Sequence, residues 1–140
     1  MSIEIRRVQP GDEPLFRRIA PDVFDHAIDP ENLARYLAAR GHHLVVAIAD
    51  GEIVGQVAAM VHFHPDGSRS ELFIDEIAVT PALQRQGIAR RMLEAMLDIG
   101  RELGCQEAWL GTEPDNLPAK GLYARRSRSA DPFVMHAFTL

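Results

Sequence analysis

The chain has 140 residues, 46% of them hydrophobic, with a formal net charge of −5 and one cysteine. That length suits one domain of roughly 100–150 residues with a core of its own, and no metal or disulfide staple is needed. The acidic balance argues against a nucleic-acid partner, and no apolar run nears the ~20 residues of a membrane helix.

A lone Cys105 cannot form an internal disulfide and fits a reducing, cytoplasmic setting. The N-terminal residues lack the apolar stretch of a signal peptide. The sequence therefore predicts one domain over residues 1–140.

"IEIRRV" (3–8) alternates like a short strand and is stopped by Pro10 and Gly11. "GDEPLFRRIAPDVF" (11–24) predicts a helix with Asp12 near its cap and Leu15, Phe16 and Ile19 on one face. "DPENLARYLAARG" predicts a second helix, with Asp29 as cap, Pro30 in the first turn and Gly41 as stop. Two β-rich runs then flank Asp50-Gly51, a dipeptide suited to a tight hairpin. "ELFIDEIAV" (71–79) continues this meander.

Ile88, Met92, Ala95, Met96, Ile99 and Leu103 recur at helical intervals, and Gly104 ends that helix. "QEAWLGT" reads as a strand with Trp109 in the core. "LPAKGLYARR" is a short helix opened by Pro118, and "PFVMHAFTL" a closing strand. The order β-α-α-β-β-β-α-β-α-β predicts an α/β (α+β) fold, a mixed sheet with helices on its faces.

The loop "LQRQGIARRM" joins a strand to a helix. A helix N-terminus leaves about four amides unpaired and carries partial positive charge. Gly87 and Ala89 keep bulk away from those amides, while Arg85, Arg90 and Arg91 add positive charge. The combination suits a pyrophosphate. No Gly-Lys-Ser/Thr follows and the three spaced glycines of a dinucleotide fingerprint are missing, so neither of those nucleotide motifs applies.

Gln84-x-x-Gly87-x-Ala89, after a strand ending "IAV", resembles the acyl-CoA loop of the GNAT N-acetyltransferases, whose pattern is Gln/Arg-x-x-Gly-x-Gly/Ala. "EPDNLPAKGLY" resembles a second landmark, an asparagine followed by Leu-Tyr. The likeness spans nearly the whole chain. It implies a twisted, mostly antiparallel sheet with an acyl-CoA cleft between the fourth and fifth strands, and acetyl-CoA as co-substrate.

By the same resemblance, Arg85, Gln86, Gly87, Ile88, Ala89 and Arg90 hold the pyrophosphate. Ile77, Ala78 and Val79 pair with the pantetheine arm, the amide of Ala78 or Val79 polarises the thioester carbonyl, and Asn116 belongs to the cofactor site. Tyr123 takes the place of the general acid that protonates the coenzyme sulfur; a phenol with an ordinary pKa near 10 keeps its proton at neutral pH.

Amine attack on a thioester also needs a group that takes the amine's proton. Asp75 and Glu76 are adjacent on a strand, which predicts that they face opposite ways and that only one lines the cleft. Glu76 is the favoured base, with Glu113 next. Asp25, Asp29, Asp75, Glu113 and Asp115 are candidates to attract a cationic acceptor.

Within the family the chain most resembles the aminoglycoside 3-N-acetyltransferase branch, implying a small, polycationic amine as partner. A non-catalytic acyl-CoA-binding domain and a peptide N-acetyltransferase remain open. Serine at 127 replaces the glycine this family places four residues after the tyrosine, where a left-handed turn would burden a residue with a Cβ.

Arg125, Arg126 and Arg128 read as a solvated basic stretch near a helix C-terminus. His62 and His64 share one side of a strand, but two imidazoles without a third ligand do not predict a metal site. Cys105, just after Gly104, reads as a buried thiol. The closing strand would leave a sheet edge for a second copy to cover, which predicts a homodimer.

Overall fold

The alternation in the meander and the helical spacing after residue 87 are both realised in the computed structural model, which describes all 140 residues. Strands β1 (Glu4–Arg7), β2 (His42–Ala49), β3 (Glu52–His62), β4 (Glu71–Val79) and β5 (Glu107–Trp109) form one sheet in that order. The first four pair antiparallel, and β5 runs parallel to β4. Helices α1 (Pro30–Ala38), α2 (Ile88–Glu102) and α3 (Leu117–Ala124) complete the fold. The chain divides into two compact units, Met1–Leu110 and Gly111–Leu140.

The first unit holds the sheet, α1 and α2. Asp50 and Gly51 both take positive φ (50° and 74°), so the β2–β3 hairpin turns where the sequence places it. Helix α1 is capped by Asp29, whose Oδ1 accepts from the Asn32 amide at 2.9 Å. Its helical residues end at Ala38, before Gly41.

Helix α2 buries Ile88, Met92, Leu93, Met96 and Ile99, whereas Leu103 lies outside it and is exposed. The helix is seated by two small residues. A Cβ on Gly55 of β3 would meet Met92 Cε at 2.9 Å, and one on Gly100 would meet Leu72 Cδ2 at 3.1 Å. Backbone-to-side-chain approach this close fixes α2 over the centre of the sheet.

Several expectations are corrected. Residues 11–24 do not form an α-helix: only Glu13–Arg17 wind, as a 3-10 turn, and the chain then extends. Ile19 bridges to Ile53, with Ala20 donating to the Ile53 carbonyl and the Ile53 amide to Arg18. Pairing with the start of β3 outcompetes an amphipathic pattern broken by Pro14 and Pro21. Asp12 does not cap that turn; it accepts from Arg6 and from the Gln9 amide.

The strand at β5 is also shorter than its apolar run, and Trp109 is 42% exposed, stacked on Phe73 with ring centroids 4.3 Å apart. In the second unit, residues 131–140 form no strand. Phe133 packs its ring against Gly111, and Val134, Met135 and Phe138 stay exposed.

Candidate active site

The central strand pair changes register where the candidate carboxylates stand. Ala59 faces Ile74 while Ala58 faces Glu76, so Asp75 is an extra residue on β4. Such a bulge interrupts the period-two alternation and re-aims side chains.

The expectation that Asp75 and Glu76 face opposite sides is overturned by this bulge: both carboxylates act on the phenol of Tyr36 and repel one another. Burial pushes both carboxyls above the ordinary carboxylate range. Asp25 and Asp75 push Glu76 further up, while the Gln56 amide opposes them. Burial, then Asp75 and Glu76, push the Tyr36 phenol far up, and its hydroxyl donates to the His43 carbonyl at 3.1 Å.

Beyond the bulge, β4 opens. Strand β5 pairs only with Glu71, Leu72 and Phe73, so the edge of β4 from Ile74 to Val79 that faces away from β3 carries no strand partner. Ile77, Ala78 and Val79 lie on this open stretch. An unpaired edge offers main-chain donors and acceptors to an extended ligand.

The chain runs from Val79 through a 3-10 turn at Pro81–Leu83 into the loop. Gln84 folds back to donate to the Val79 carbonyl at 3.0 Å, fixing the loop to the strand end. Arg85 and Gly87 then take positive φ (64° and 80°), and Gly87 caps α2 without a side-chain bond. A non-glycine residue in that region is strained by roughly 1–2 kcal/mol, and such strain gathers at functional sites.

The amides of residues 85–90 have no acceptor within the chain. A Cβ on Gly87 would meet nothing within 4 Å, so the space before these amides is open. Ile88 turns its side chain into the core while Arg85, Gln86 and Arg90 remain on the surface side. Arg91 donates to the Ile3 carbonyl at 3.0 Å, which ties α2 to the N-terminus.

In the second unit, Asn116 is the cap of α3, its Oδ1 accepting from the Ala119 amide at 3.2 Å. Glu113 and Asp115 are exposed in the turn before it. Burial raises the Tyr123 phenol, which keeps it protonated. Ser127 donates its amide to the Tyr123 carbonyl at 2.7 Å and does not take positive φ, so the turn after α3 forms without the left-handed residue that a glycine would favour.

Asp29 is engaged as the α1 cap. His64 pairs with Glu71 at 2.5 Å and stacks on His62, which pins the mouth of the β3–β4 hairpin. Cys105 is half-buried, and burial raises its thiol.

Sequence reasoning missed Gln56 and Tyr36. Gln56 is a polar residue in the apolar run "IVGQVAAMV" and is fully buried, an anomaly that could have flagged it. Tyr36 carried no signal beyond its helical position.

A bulged strand with a free edge leads into a helix mouth of unpaired amides within an α/β fold. Residues 13–127 match the model of the Acetyltransferase (GNAT) family, and the chain belongs to that family of N-acetyltransferase enzymes.

The streptothricin acetyltransferase of Streptomyces lavendulae is 31% identical over 85% of this chain, which spans only 59% of that relative's length. An aminoglycoside N(6′)-acetyltransferase type 1 of Salmonella typhimurium is 31% identical over 51% of each chain. Among solved structures, an aminoglycoside acetyltransferase from an uncultured soil metagenomic sample superposes with a TM-score of 0.88 at 23% identity, covering 99% of this chain and 96% of that one. That likeness bears on the fold, which is the mixed, mostly antiparallel GNAT fold the sequence predicts.

Proposed function

We propose that the protein transfers an acetyl group from acetyl-CoA to a primary amine of a small, cationic acceptor. The observation that carries this reading is the run of unpaired amides at 85–90, directly after the free edge of β4. The amides grip the pyrophosphate, with Arg85 and Arg90 adding charge, and the pantetheine arm lies along Ile77–Val79 as an added strand would.

The reaction is direct attack in a ternary complex. The amine nitrogen bonds to the thioester carbon, its proton passes to Glu76, and the amide of Ala78 or Val79 stabilises the oxyanion. The C–S bond then breaks, and the leaving thiolate takes the Tyr123 proton. Two features support the roles: the raised carboxyl of Glu76 makes it a stronger base than an ordinary carboxylate, and the raised phenol of Tyr123 keeps its proton for the leaving group.

Asp25, Asp75 and Glu76 supply the negative field that draws in the acceptor. Asp29, as a helix cap, and Asn116, as the cap of α3, contribute by holding backbone in place. Glu113 is a further acidic contact for the acceptor. The relatives compared above are named for streptothricin and for 6′-N acetylation, so the proposal is a small-molecule amine rather than the 3-N position suggested by the sequence. A second copy of the chain is the proposed cover for Phe133, Val134, Met135 and Phe138.

Free-thiol release from acetyl-CoA, followed across aminoglycosides, polyamines, amino acids and peptides, tests the reading. Turnover with small polyamines or aminoglycosides is expected. Turnover with peptides alone would overturn the acceptor class. Tight coenzyme binding without any turnover would make the domain a non-catalytic binder.

A further inference from the structure

Gln56 and Thr80 are the buried polar side chains of this chain, and Gln56 is fully enclosed in the middle of β3. The register pairs Gln56 with Ala78 and Ala58 with Glu76, which makes Gln56 and Glu76 diagonal neighbours on one face of the sheet. Nε2 of Gln56 donates to the Val23 carbonyl at 3.3 Å. An amide nitrogen carries two hydrogens, and the second is free for the neighbouring carboxylate.

Oε1 of the same side chain has no partner. A buried acceptor left unpaired is costly, and a leucine of similar volume would escape that cost. What a glutamine offers here that a leucine does not is the Nε2 donor, one hydrogen of which satisfies the buried Val23 carbonyl.

The other groups around Glu76 cannot replace that donor. Asp25, from the segment before α1, and Asp75, from β4, are like charges. Tyr36, from α1, gives its hydroxyl hydrogen to His43.

We propose that Gln56 is a positioning residue that ties the Glu76 carboxylate to the Val23 backbone and holds it toward the acceptor amine. This rests on Glu76 being the base, so the test separates the two claims. Gln56→Leu and Gln56→Met are compared with the parent by thermal melting, by carbon-13 titration of the Glu76 carboxyl, and by the pH profile of kcat/KM.

Both variants give up the Val23 bond and the unpaired Oε1 together, so both should stay folded and melt close to the parent temperature, and the Glu76 carboxyl should titrate at higher pH. Near pH 6, kcat/KM should fall about threefold or more, with a change of less than about twofold near pH 9 and an unaltered KM for acetyl-CoA. An unmoved Glu76 titration in the folded variants would overturn the proposal. Failure of both variants to fold would give the glutamine a packing role and overturn it too. A carboxyl that moves while the acid limb of the rate stays put would support the tie and remove Glu76 as base.

Discussion

Glu76 and Tyr123 carry opposite duties, and burial serves both by favouring their neutral forms. For a carboxyl raised in the folded state, the native protein binds more protons than the unfolded chain just above the ordinary carboxylate pKa. The stability held by the neutral form is present below that range and is lost as pH rises through the raised value. Glu76→Gln should therefore melt higher than the parent at neutral pH, with the gap closing toward about pH 4, while turnover falls by about 10²-fold or more. Equal melting curves at every pH would contradict the raised carboxyl, and retained turnover would contradict its role. Tyr123→Phe should leave coenzyme affinity within about twofold and lower kcat by about 10²-fold, measured by calorimetry and thiol release. The effect should shrink with a thioester whose thiol leaves as a stabilised anion, because such a group needs no proton.

At the scale of elements, the strand–loop–helix unit from β4 to α2 binds through its backbone. Gly87 stands at positive φ with open space before it. Gly87→Glu places a strained backbone and a negative charge where the diphosphate is held, and coenzyme affinity should fall by at least about 10²-fold in a calorimetric titration. Affinity within twofold of the parent would refute the loop's role.

This unit was also the most legible part of the sequence. The glycine, the preceding "IAV" strand and the Ile88/Met92/Met96/Ile99 spacing each reflect a local rule, and β4 and α2 form where those rules put them. The bulge at Asp75 was not legible. Alternation predicts faces only while the ladder is regular, and the register shift arises from pairing with Ala58 and Ala59 some 16 residues away, counted from Ala59 to Asp75. The segment 11–24 departs from its local pattern for a related reason, because the bond from Ala20 to Ile53 is a tertiary contact that no local window contains.

Across the whole molecule, the fold followed from the order of elements, with further departures at the C-terminal end. "PFVMHAFTL" has the composition of a strand, but β-propensity describes fit to a neighbouring strand, and residues 131–140 have no ladder here. Apolar neighbours predict Trp109 in the core; in the structure it stacks on Phe73 at a strand of three residues. No helix is long and apolar enough to cross a membrane. The functional proposal for the molecule reduces to where the coenzyme's phosphates lie. Titration of nitrogen-15-labelled protein with coenzyme A, read residue by residue, addresses that point. The amides of residues 85–90 should show the largest shifts and gain protection from exchange, with Ile77–Val79 following. Saturable binding that leaves the 85–90 amides unshifted and unprotected would contradict it.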